Sequence, residues 1–522
     1  MGADPGKRVC VIGAGIAGLV TAKVLREDGF DIVVFEKQAE VGGVWAASRA
    51  YPGLRANNSR ETYAFSDFPY PDTTDDFPTA EQVRAYLNAY IDRFGLRSLI
   101  CLSTEVVSVT RSQTDRFQVL VRAGGAGELA EKLEFDFVVV CNGVFSEPQV
   151  PQVPGHELFQ GAVLHSSQLV DPGLVTGRRV VVVGAGKSAL DCAAWAARHA
   201  RACTLVFRSP HWTAPRYVFG RIRIDWVILT RFSELFVRYH RLGRFEAFLH
   251  GPARGLVRLW WWAWTRLIRR ILKIPAVLVP EAALPVGAEN FVLADEFYSA
   301  LNLGKLELRR GRISRFVDAE AIELDTTEKV EADVVILATG WRQSLPFLDA
   351  ELLSQVQGKG RLRLFRQILP PSVPRLGFIG YASSTACTLT SEVAAHWLSQ
   401  WFTGVLELPD VVDMEQEIAR VLDWADEAFP ARSQGYYIGP HVAAYLDDLL
   451  RDMGLPLRRA GNWLSEYFAP LWPGRYQDLG EQRRQRLPTA PAGAPPWLAA
   501  DGVTSPSLAP EVSPYLHSEV SE

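Results

Sequence analysis

Cysteine is scarce in this sequence: the 522 residues include six, scattered along the chain without a Cys-x-x-Cys pair or a cysteine–histidine cluster. Neither a disulfide framework nor a metal site is therefore predicted, and a reducing, cytoplasmic environment is favoured. The amino-terminal residues lack the apolar core of a secretory signal peptide. Positive charge is not in excess either, because the formal net charge is −4. This balance argues against a nucleic-acid partner.

The remaining composition is typical of a globular protein, with 48% hydrophobic and 22% charged residues. Collagen-like, wholly disordered and multi-span membrane proteins have other compositions and are excluded. A chain of 522 residues is longer than one hydrophobic core normally serves, so two or three domains are expected.

A phosphate-binding turn is predicted within the first forty residues. The apolar strand 8–12 runs into a Gly-x-Gly-x-x-Gly turn and a helix, and a second strand, 31–35, is followed by Glu36. The three glycines permit a tight bend, close approach of the backbone to a pyrophosphate, and close packing of helix on strand. The helix amino terminus offers N–H groups to the phosphates, and the acid accepts hydrogen bonds from a ribose. The predicted nucleotide-binding residues are Gly13, Ala14, Gly15, Ile16, Ala17, Gly18 and Glu36.

A second turn of the same kind lies in the middle of the chain. The strand 178–183 leads into Gly184-Ala185-Gly186-Lys187-Ser188-Ala189, and the next strand, 203–207, is followed by Arg208 instead of an acid. An arginine at this position pairs with a 2′-phosphate, which favours NADP(H) over NAD(H). The opposite charges at the two sites predict FAD at the first and NADPH at the second. The alternative for Arg208 is an exposed arginine that binds no nucleotide.

Several segments resemble the flavin-containing monooxygenases, a family related to the Baeyer–Villiger monooxygenases. They are Gly42-Gly43-Val44-Trp45, the segment 51–61, Phe65-Ser66-Asp67-Phe68-Pro69, Phe159-x-Gly161-x-x-x-His165 and Leu337-Ala338-Thr339-Gly340-Trp341. Two positions depart from the family pattern. Leu169 replaces the aromatic residue that ends the FxGxxxHxxxY motif, and Trp341 replaces a tyrosine.

The resemblance implies an oxidoreductase that depends on NADPH and O2. NADPH reduces FAD, O2 adds to the reduced flavin as a C4a-hydroperoxide, and one oxygen atom passes to a nucleophilic nitrogen or sulfur of a small organic substrate. Asn57 and His165 are the implied catalytic residues. Baeyer–Villiger relatives carry aspartate where Asn57 stands. Asn57 therefore favours N-oxidation or S-oxidation, and oxidation of a ketone to an ester or lactone is the alternative.

Further cofactor-binding residues follow from the same resemblance. They are Gly43, Val44, Trp45, Asn57, Asn58, Gly184, Gly186, Lys187, Ser188, Asp191, Arg208, Thr339 and Gly340. Simpler interpretations stay open for some of them, because Asn57 is also suited to cap a turn and Ser188 and Asp191 are also suited to open a helix. A disulfide reductase on a similar scaffold is disfavoured, since it needs a paired dithiol. A nucleotide-binding protein without catalytic activity is a minor alternative.

The predicted fold is α/β, with two Rossmann-like domains and the NADPH domain inserted into the FAD domain. The FAD domain spans residues 1–150 and 331–475, and the strands 332–337 and 375–380 are assigned to its sheet. The NADPH domain spans 151–330 and contains a helical insertion at about 217–284. Residues 476–522 are predicted to form a flexible, Pro- and Ala-rich tail.

The insertion contains a basic, Trp-rich amphipathic helix at 254–273. It has no charge-free run of the roughly 18 residues that a membrane-spanning helix needs. The favoured interpretation is a helix that packs on its own protein with its arginines in water. The alternative is peripheral contact with a lipid surface. A homodimer is also left open.

Overall fold

A computed structural model describes residues 8–124, 131–284, 292–382, 384–428 and 441–485. The strands are β1 (Arg8–Ile12), β2 (Asp31–Phe35), β3 (Ile100–Cys101), β4 (Thr104–Arg111), β5 (Phe117–Ala123), β6 (Glu131–Phe135), β7 (Phe137–Val140), β8 (Glu147–Pro148), β9 (Ala162–His165), β10 (Arg179–Val183), β11 (Ala202–Phe207), β12 (Thr213–Ala214), β13 (Tyr217–Val218), β14 (Ile222–Arg223), β15 (Val292–Leu293), β16 (Glu307–Arg310), β17 (Ile313–Asp318), β18 (Ala321–Leu324), β19 (Lys329–Glu331), β20 (Val334–Leu337), β21 (Trp341–Arg342), β22 (Gln357–Gly358), β23 (Arg361–Leu362) and β24 (Leu376–Phe378).

Helices connect and cover these strands. They are α1 (Ile16–Glu27), α2 (Ala80–Arg93), α3 (Lys187–His199), α4 (Asp225–Ile228), α5 (Arg231–Glu234), α6 (Arg244–His250), α7 (Arg254–Leu272), α8 (Asp295–Asn302), α9 (Ala350–Val356), α10 (Cys387–Phe402), α11 (Val411–Ala428), α12 (Val442–Asp452), α13 (Trp463–Phe468) and α14 (Leu479–Arg484). Among the described helices, none is both long and apolar enough to span a bilayer.

The first domain is built on a five-stranded parallel sheet in the order β24-β7-β1-β2-β3. Its central strands are short and apolar because both faces are covered. Val9 and Val11 pack towards α1 and α10, whereas Cys10 and Ile12 pack against the antiparallel sheet β4-β5-β6. Two nearly continuous hydrophobic layers therefore enclose this sheet.

The second domain repeats this plan with a parallel sheet in the order β16-β11-β10-β20-β9. Val180 and Val182 pack with the apolar residues of α3, and Val181 packs against the antiparallel sheet β17-β18-β19. The predicted α/β fold with two Rossmann-like domains is confirmed.

One strand belongs to a different sheet from the one predicted. The strand 332–337 was assigned to the FAD domain, but Val334–Leu337 forms β20, which pairs with β10 on one side and β9 on the other. The second domain therefore extends to about residue 337. The prediction was wrong because an apolar strand of four residues carries no information about which parallel sheet it joins. The other strand assigned to the FAD domain, β24, does pair with β7 in the first sheet.

Residues 476–485, which the sequence assigned to a flexible tail, are folded. Helix α14 packs on the first domain, where Leu479 and Arg483 are buried. Arg483 forms an ion pair with Asp28 and donates from Nε to Nδ1 of His396 at 2.9 Å. These contacts hold residues 476–485 in the folded structure, and residues 486–522 lie outside the described range.

Helix α7 of the insertion packs on its own protein, as the favoured interpretation predicts. Ile268 and Leu272 join the core of the second domain, and Trp260 stacks on Phe236 with the ring centroids 4.3 Å apart. Leu256 of the same helix is exposed.

Candidate functional site

The first glycine-rich turn follows β1 and is closed by contacts that leave no room for side chains. A Cβ atom at Gly13, where φ is +105°, would lie 2.8 Å from the carbonyl oxygen of Cys141. A Cβ atom at Gly18 would lie 1.8 Å from the carbonyl oxygen of Gly13. These two glycines are therefore required by the packing of α1 against the sheet, whether or not a ligand is bound.

Gly15 has a different environment, which fits a bound pyrophosphate. It is the N-cap of α1, and no side chain caps the free N–H groups of this helix. A Cβ atom at Gly15 would meet only Gly43, whose Cα would be 3.7 Å away. Gly43 lies at φ +61°, and the N–H of Gly42 donates to the carbonyl oxygen of Ala14 at 3.0 Å. The backbones of Gly15 and Gly43 thus lie side by side without side chains at the amino terminus of α1. A dinucleotide phosphate binds at this place in this type of fold.

Glu36 is buried and holds the first turn to the second strand. Its Oε2 accepts from the N–H of Ala14 at 2.9 Å, and its Oε1 accepts from the N–H of Gln38 at 2.9 Å. Each carboxylate oxygen has a further lone pair, so these bonds are compatible with the predicted contact to a ribose.

Trp45 is also buried, and its Nε1 donates to the hydroxyl of Tyr63 at 3.1 Å. Its carbonyl oxygen accepts from Arg84 on α2. The preceding Val44 is partly buried and packs against the core of the first domain. The predicted segment 43–45 is therefore anchored between the first turn and α2.

Arg49 is a candidate cofactor-binding residue that the sequence analysis missed. Its guanidinium lies over the ring of Trp341, 4.7 Å from the centroid, and donates from Nη2 to the carbonyl oxygen of Phe145 at 2.9 Å. Burial lowers the pKa of Arg49, and the nearby carboxylate of Glu36 opposes this effect. A half-buried cation without a carboxylate partner in the described residues, close to the first turn, fits a pyrophosphate. Spacing gives no signal for such a residue, because the contact depends on the fold.

Asn57 and Asn58 lie on a segment that touches three parts of the molecule. The Oδ1 atom of Asn57 is buried and has no hydrogen-bond partner in the described structure, and Asn58 is buried as well. Two residues further on, Ser59 donates from Oγ to Asp225 of α4 at 2.6 Å, and Asp225 is 3% exposed. The insertion is therefore fixed directly to the loop that carries the predicted catalytic asparagine.

An unpaired buried amide oxygen is costly, and such atoms concentrate at binding sites. The environment of Asn57 thus fits a bound group that donates a hydrogen bond. The alternative, in which Asn57 caps a turn through its side-chain oxygen, does not agree with an Oδ1 atom that accepts no hydrogen bond.

His165 ends β9 and is buried at the junction of the domains. Its Nε2 donates to the carbonyl oxygen of Gly340 at 3.1 Å, and its Nδ1 accepts from the N–H of Ser167 at 3.2 Å. Burial lowers the pKa of His165, which favours this neutral form. Since both ring nitrogens have protein partners, the structure gives His165 a role in fixing the junction, and its predicted catalytic role stays a prediction.

Thr339 and Gly340 lie where the chain returns to the first domain. Thr339 donates from Oγ1 to the carbonyl oxygen of Gln149, and the strands β21 and β8 pair antiparallel beside it. The ring of Trp341 contacts His165 edge to face at 5.0 Å. Leu169, which departs from the family motif, is fully buried in the core of the second domain. An apolar side chain fills this position without an aromatic ring.

The second glycine-rich turn faces the first domain. Gly184 is required by packing, since its Cβ atom would lie 2.3 Å from the carbonyl oxygen of Ala338, whereas Gly186 has open space around it. Lys187 donates to Asp191 at 2.7 Å, and the hydroxyl of Tyr51 donates to the same carboxylate at 3.0 Å. Ser188 forms a side-chain hydrogen bond with Tyr51. Burial raises the pKa of Asp191, and Lys187 opposes this shift. These contacts join the predicted NADPH turn to the segment 51–61.

Arg208 follows β11 at the carboxyl end of the second sheet and is exposed. Its guanidinium makes no hydrogen bond or ion pair in the described part of the chain, although its carbonyl oxygen accepts from Arg310. A free cation at this edge is placed as a 2′-phosphate would require.

Residues 6–456 match the family described as flavin-binding monooxygenase-like. The chain belongs to this family. Flavin-containing monooxygenase 3 of Canis lupus familiaris is 28% identical to it over 430 residues, which cover 79% of this chain and 77% of the relative. The prediction of an FAD-dependent monooxygenase is thereby confirmed.

Two solved structures share the fold. S-allyl-L-cysteine S-oxygenase from Allium sativum has a TM-score of 0.59 and 22% identity, with 92% of this chain and 93% of that chain covered. OTEMO, solved in complex with FAD and NADP, has a TM-score of 0.64 and 17% identity, with 86% of this chain and 98% of that chain covered. The predicted cofactor pair agrees with the two nucleotides in this neighbour.

We expect the substitution Gly15→Ala to reduce flavin binding while the protein still folds. The added methyl group meets only Gly43 in the protein but would occupy the phosphate position, at a cost of about 1–3 kcal/mol. The flavin absorbance of the purified variant should fall, while its thermal stability without flavin stays near that of the wild type. Gly18→Ala is the contrasting control, because its clash with Gly13 should destabilise the domain itself. Full flavin content in Gly15→Ala would refute the assignment.

We expect the substitution Arg208→Ala to raise the KM for NADPH about tenfold or more, because a charge-assisted hydrogen bond contributes about 1.5–3 kcal/mol. The KM for NADH should change little. Arg201→Ala is the matched control, since Arg201 is an exposed arginine at the opposite end of the same strand. Steady-state rates of NADPH and NADH oxidation measure both KM values. An equal change of KM for the two nucleotides would contradict the prediction.

Proposed function

We propose that the chain is an NADPH- and FAD-dependent monooxygenase that oxygenates a nucleophilic nitrogen or sulfur of a small organic substrate. The observation that carries the proposal is the buried, unpartnered Oδ1 atom of Asn57. Its segment contacts the second nucleotide turn through Tyr51 and the insertion through Ser59. A neutral amide in this place suits heteroatom oxygenation, whereas the ketone-oxidising relatives have an aspartate there.

In this proposal the bound flavin, reduced by NADPH, supplies the activation of O2, with one oxygen atom transferred to the substrate and the other released as water. The residues of the chain bind and orient the cofactors. Gly15, Gly43 and Arg49 would hold the pyrophosphate of FAD, and Arg208 would hold the 2′-phosphate of NADPH. The amide of Asn57 would fix a donor group of cofactor or substrate, and the insertion would exclude water above it.

The substitution Asn57→Ala tests the proposal. Because Oδ1 has no protein partner, its loss removes no hydrogen bond of the fold, and thermal stability should stay unchanged. We expect NADPH consumption to continue while oxygenated product falls about tenfold or more and H2O2 rises in its place. The upper limit is the loss of about 10²–10³ in rate that follows removal of one positioned hydrogen-bonding group. The assay measures NADPH, product and H2O2 together, with N,N-dimethylaniline, methyl p-tolyl sulfide and cyclohexanone as substrates.

Asn302→Ala at the exposed end of α8 is the matched control and should behave as the wild type. Oxygenation of cyclohexanone but of neither the amine nor the sulfide would favour the Baeyer–Villiger alternative. Unchanged coupling in Asn57→Ala would remove Asn57 from the active site.

We also propose that the outer face of α7 contacts an anionic lipid surface. This face, here called the basic apolar face, carries Leu256, Leu259 and Trp262, which are 57%, 58% and 53% exposed. The neighbouring α6 adds the exposed residues Phe245 and Phe248.

The charge along α7 has one sign. Residues 247–280 contain five arginines and one lysine and no aspartate or glutamate. The guanidinium of Arg266 lies 4.3 Å from the centroid of the Trp262 ring. Exposed aromatic and aliphatic tips among arginines suit the interface of an anionic bilayer. Trp260 and Trp264 do not take part, because they pack inside the protein.

Co-sedimentation with phosphatidylserine-containing vesicles tests this surface. The triple substitution Leu256→Ser, Leu259→Ser, Trp262→Ser should reduce binding at least tenfold, because each side chain buries apolar area at about 25 cal/mol per Å². Binding of the wild type should weaken with salt. The control pair Val411→Ser, Val412→Ser alters exposed apolar residues of α11 and should bind as the wild type. A dimer in solution that the triple substitution dissociates, without vesicle binding, would assign the face to a second copy of the chain instead.

A further inference from the structure

A cleft lies where the insertion, the loop after β24 and the helices α11 and α12 meet. Tyr239 and His240 of the insertion form one wall, and His441 and Tyr445 of α12 and its N-cap form another. Ala382 and Ser384, from the loop that connects β24 to α10, close one end. This loop begins at Gly380, whose Cβ atom would lie 2.9 Å from the Cβ atom of Ala17 beside the first glycine-rich turn. The loop that closes this end of the cleft therefore begins beside the first glycine-rich turn.

The charged groups of the cleft neutralise each other. Arg366 pairs with Glu417 and, through Nε and Nη2, with both oxygens of Asp452 at 2.7 and 2.9 Å. Asp448 accepts from Arg451 at 2.6 Å and from Arg241 at 3.3 Å. Among the described residues that line the cleft, every carboxylate thus has an arginine partner. A ligand with a full charge would find no unpaired counter-ion among these residues.

The two histidines of the cleft are neutral. Burial lowers the pKa of His240 to about 4 and that of His441 to about 3. The Nε2 atom of His441 contacts the carbonyl oxygen of Val237 at 3.3 Å. Since a carbonyl oxygen only accepts, the ring proton lies on Nε2 and Nδ1 is an acceptor.

The Nδ1 atom of His441 has no hydrogen-bond partner in the described structure, although His441 is only 6% exposed. A buried acceptor that is left unpaired costs about 1–3 kcal/mol. The rings of Tyr239 and Trp424 hold the imidazole in place, with centroids 4.9 and 5.3 Å away. The acceptor is therefore fixed in orientation as well as unpaired.

A strained turn forms the opposite side of the cleft. Arg366 and Gln367 lie at φ +54° and +57°, a left-handed conformation that residues other than glycine rarely adopt twice in succession. The ion pairs of Arg366 hold the turn, and the side-chain amide of Gln367 lines the cleft without a hydrogen bond to any described residue. Strain of this kind is typical of binding sites.

We propose that this cleft binds the organic substrate as an uncharged molecule whose N–H or O–H group donates a hydrogen bond to Nδ1 of His441. The inference rests on the proposed function, because it names the class of molecule that the monooxygenase admits. The rings of Tyr239 and His240 provide the apolar surface for the rest of the molecule, and the Gln367 amide offers a second polar contact.

Two sulfides of nearly equal shape test the inference. 4-(Methylsulfanyl)phenol carries an O–H group where methyl p-tolyl sulfide carries a methyl group. Calorimetric titration of the oxidised, FAD-loaded enzyme without NADPH measures binding with no turnover. We expect the phenol to bind about 2- to 12-fold more tightly, the range that one neutral hydrogen bond provides. His441→Phe should bind both sulfides equally, and His441→Asn, which keeps an acceptor, should retain the preference.

A second pair of substitutions keeps the test independent of the stability of the His441 variants. Val421→Trp fills the cleft from α11 and should abolish binding of both sulfides, whereas Val412→Trp places the same bulk on the exposed part of that helix and should not. Equal binding of the two sulfides by the wild type, or unchanged binding by Val421→Trp, would overturn the inference. Preferential binding of the phenol without NADPH-dependent sulfoxide formation would contradict the proposed function and leave the assignment of His441 intact.

Discussion

The close approach of two backbones, at Gly15 and Gly43, is the constraint on which the functional site depends. A side chain at either position would not collide with the core of the domain. Gly13 and Gly18 differ, because a Cβ atom there would collide with a carbonyl oxygen. The absence of side chains at both positions leaves the amino end of α1 bare, and its N–H groups are uncapped. Glu36 accepts from the N–H of Ala14 in the same turn, and the half-buried Arg49 interacts with the carboxylate of Glu36.

Polar contacts join the two domains at the site, beside the apolar packing of Tyr51 on the core of the second domain. Tyr51 and Lys187 share the carboxylate of Asp191, and His165 bonds to the carbonyl oxygen of Gly340. Such contacts fix the relative orientation of the two nucleotide turns. In the proposed reaction, transfer of hydride between the two cofactors would require an orientation that is fixed in this way.

The sequence predicts the nucleotide turns well because their glycines and flanking strands are local signals. The sequence predicts less well those features that depend on contacts between residues far apart in the chain. The strand Val334–Leu337 joins the second sheet because its neighbours are β9 and β10, which an apolar run cannot reveal. Arg49 was missed because its significance is the lack of a carboxylate partner among the described residues, and His441 because its Nδ1 atom has no hydrogen-bond partner there; only the surrounding structure shows either. The assignment of residues 476–485 to a tail was wrong because Arg483 forms a buried contact with Asp28, 455 residues away.

The position of β20 has a consequence for synthesis of the chain. It is an inner strand, between β10 and β9, although it follows them by more than a hundred residues. On the ribosome, β9 therefore has no neighbour in its sheet until residue 337 has emerged, and the first sheet lacks its edge strand β24 until residue 378 has emerged. Neither domain can complete its core before the other is largely made, so the two must mature together and their exposed strand edges require protection in the interval.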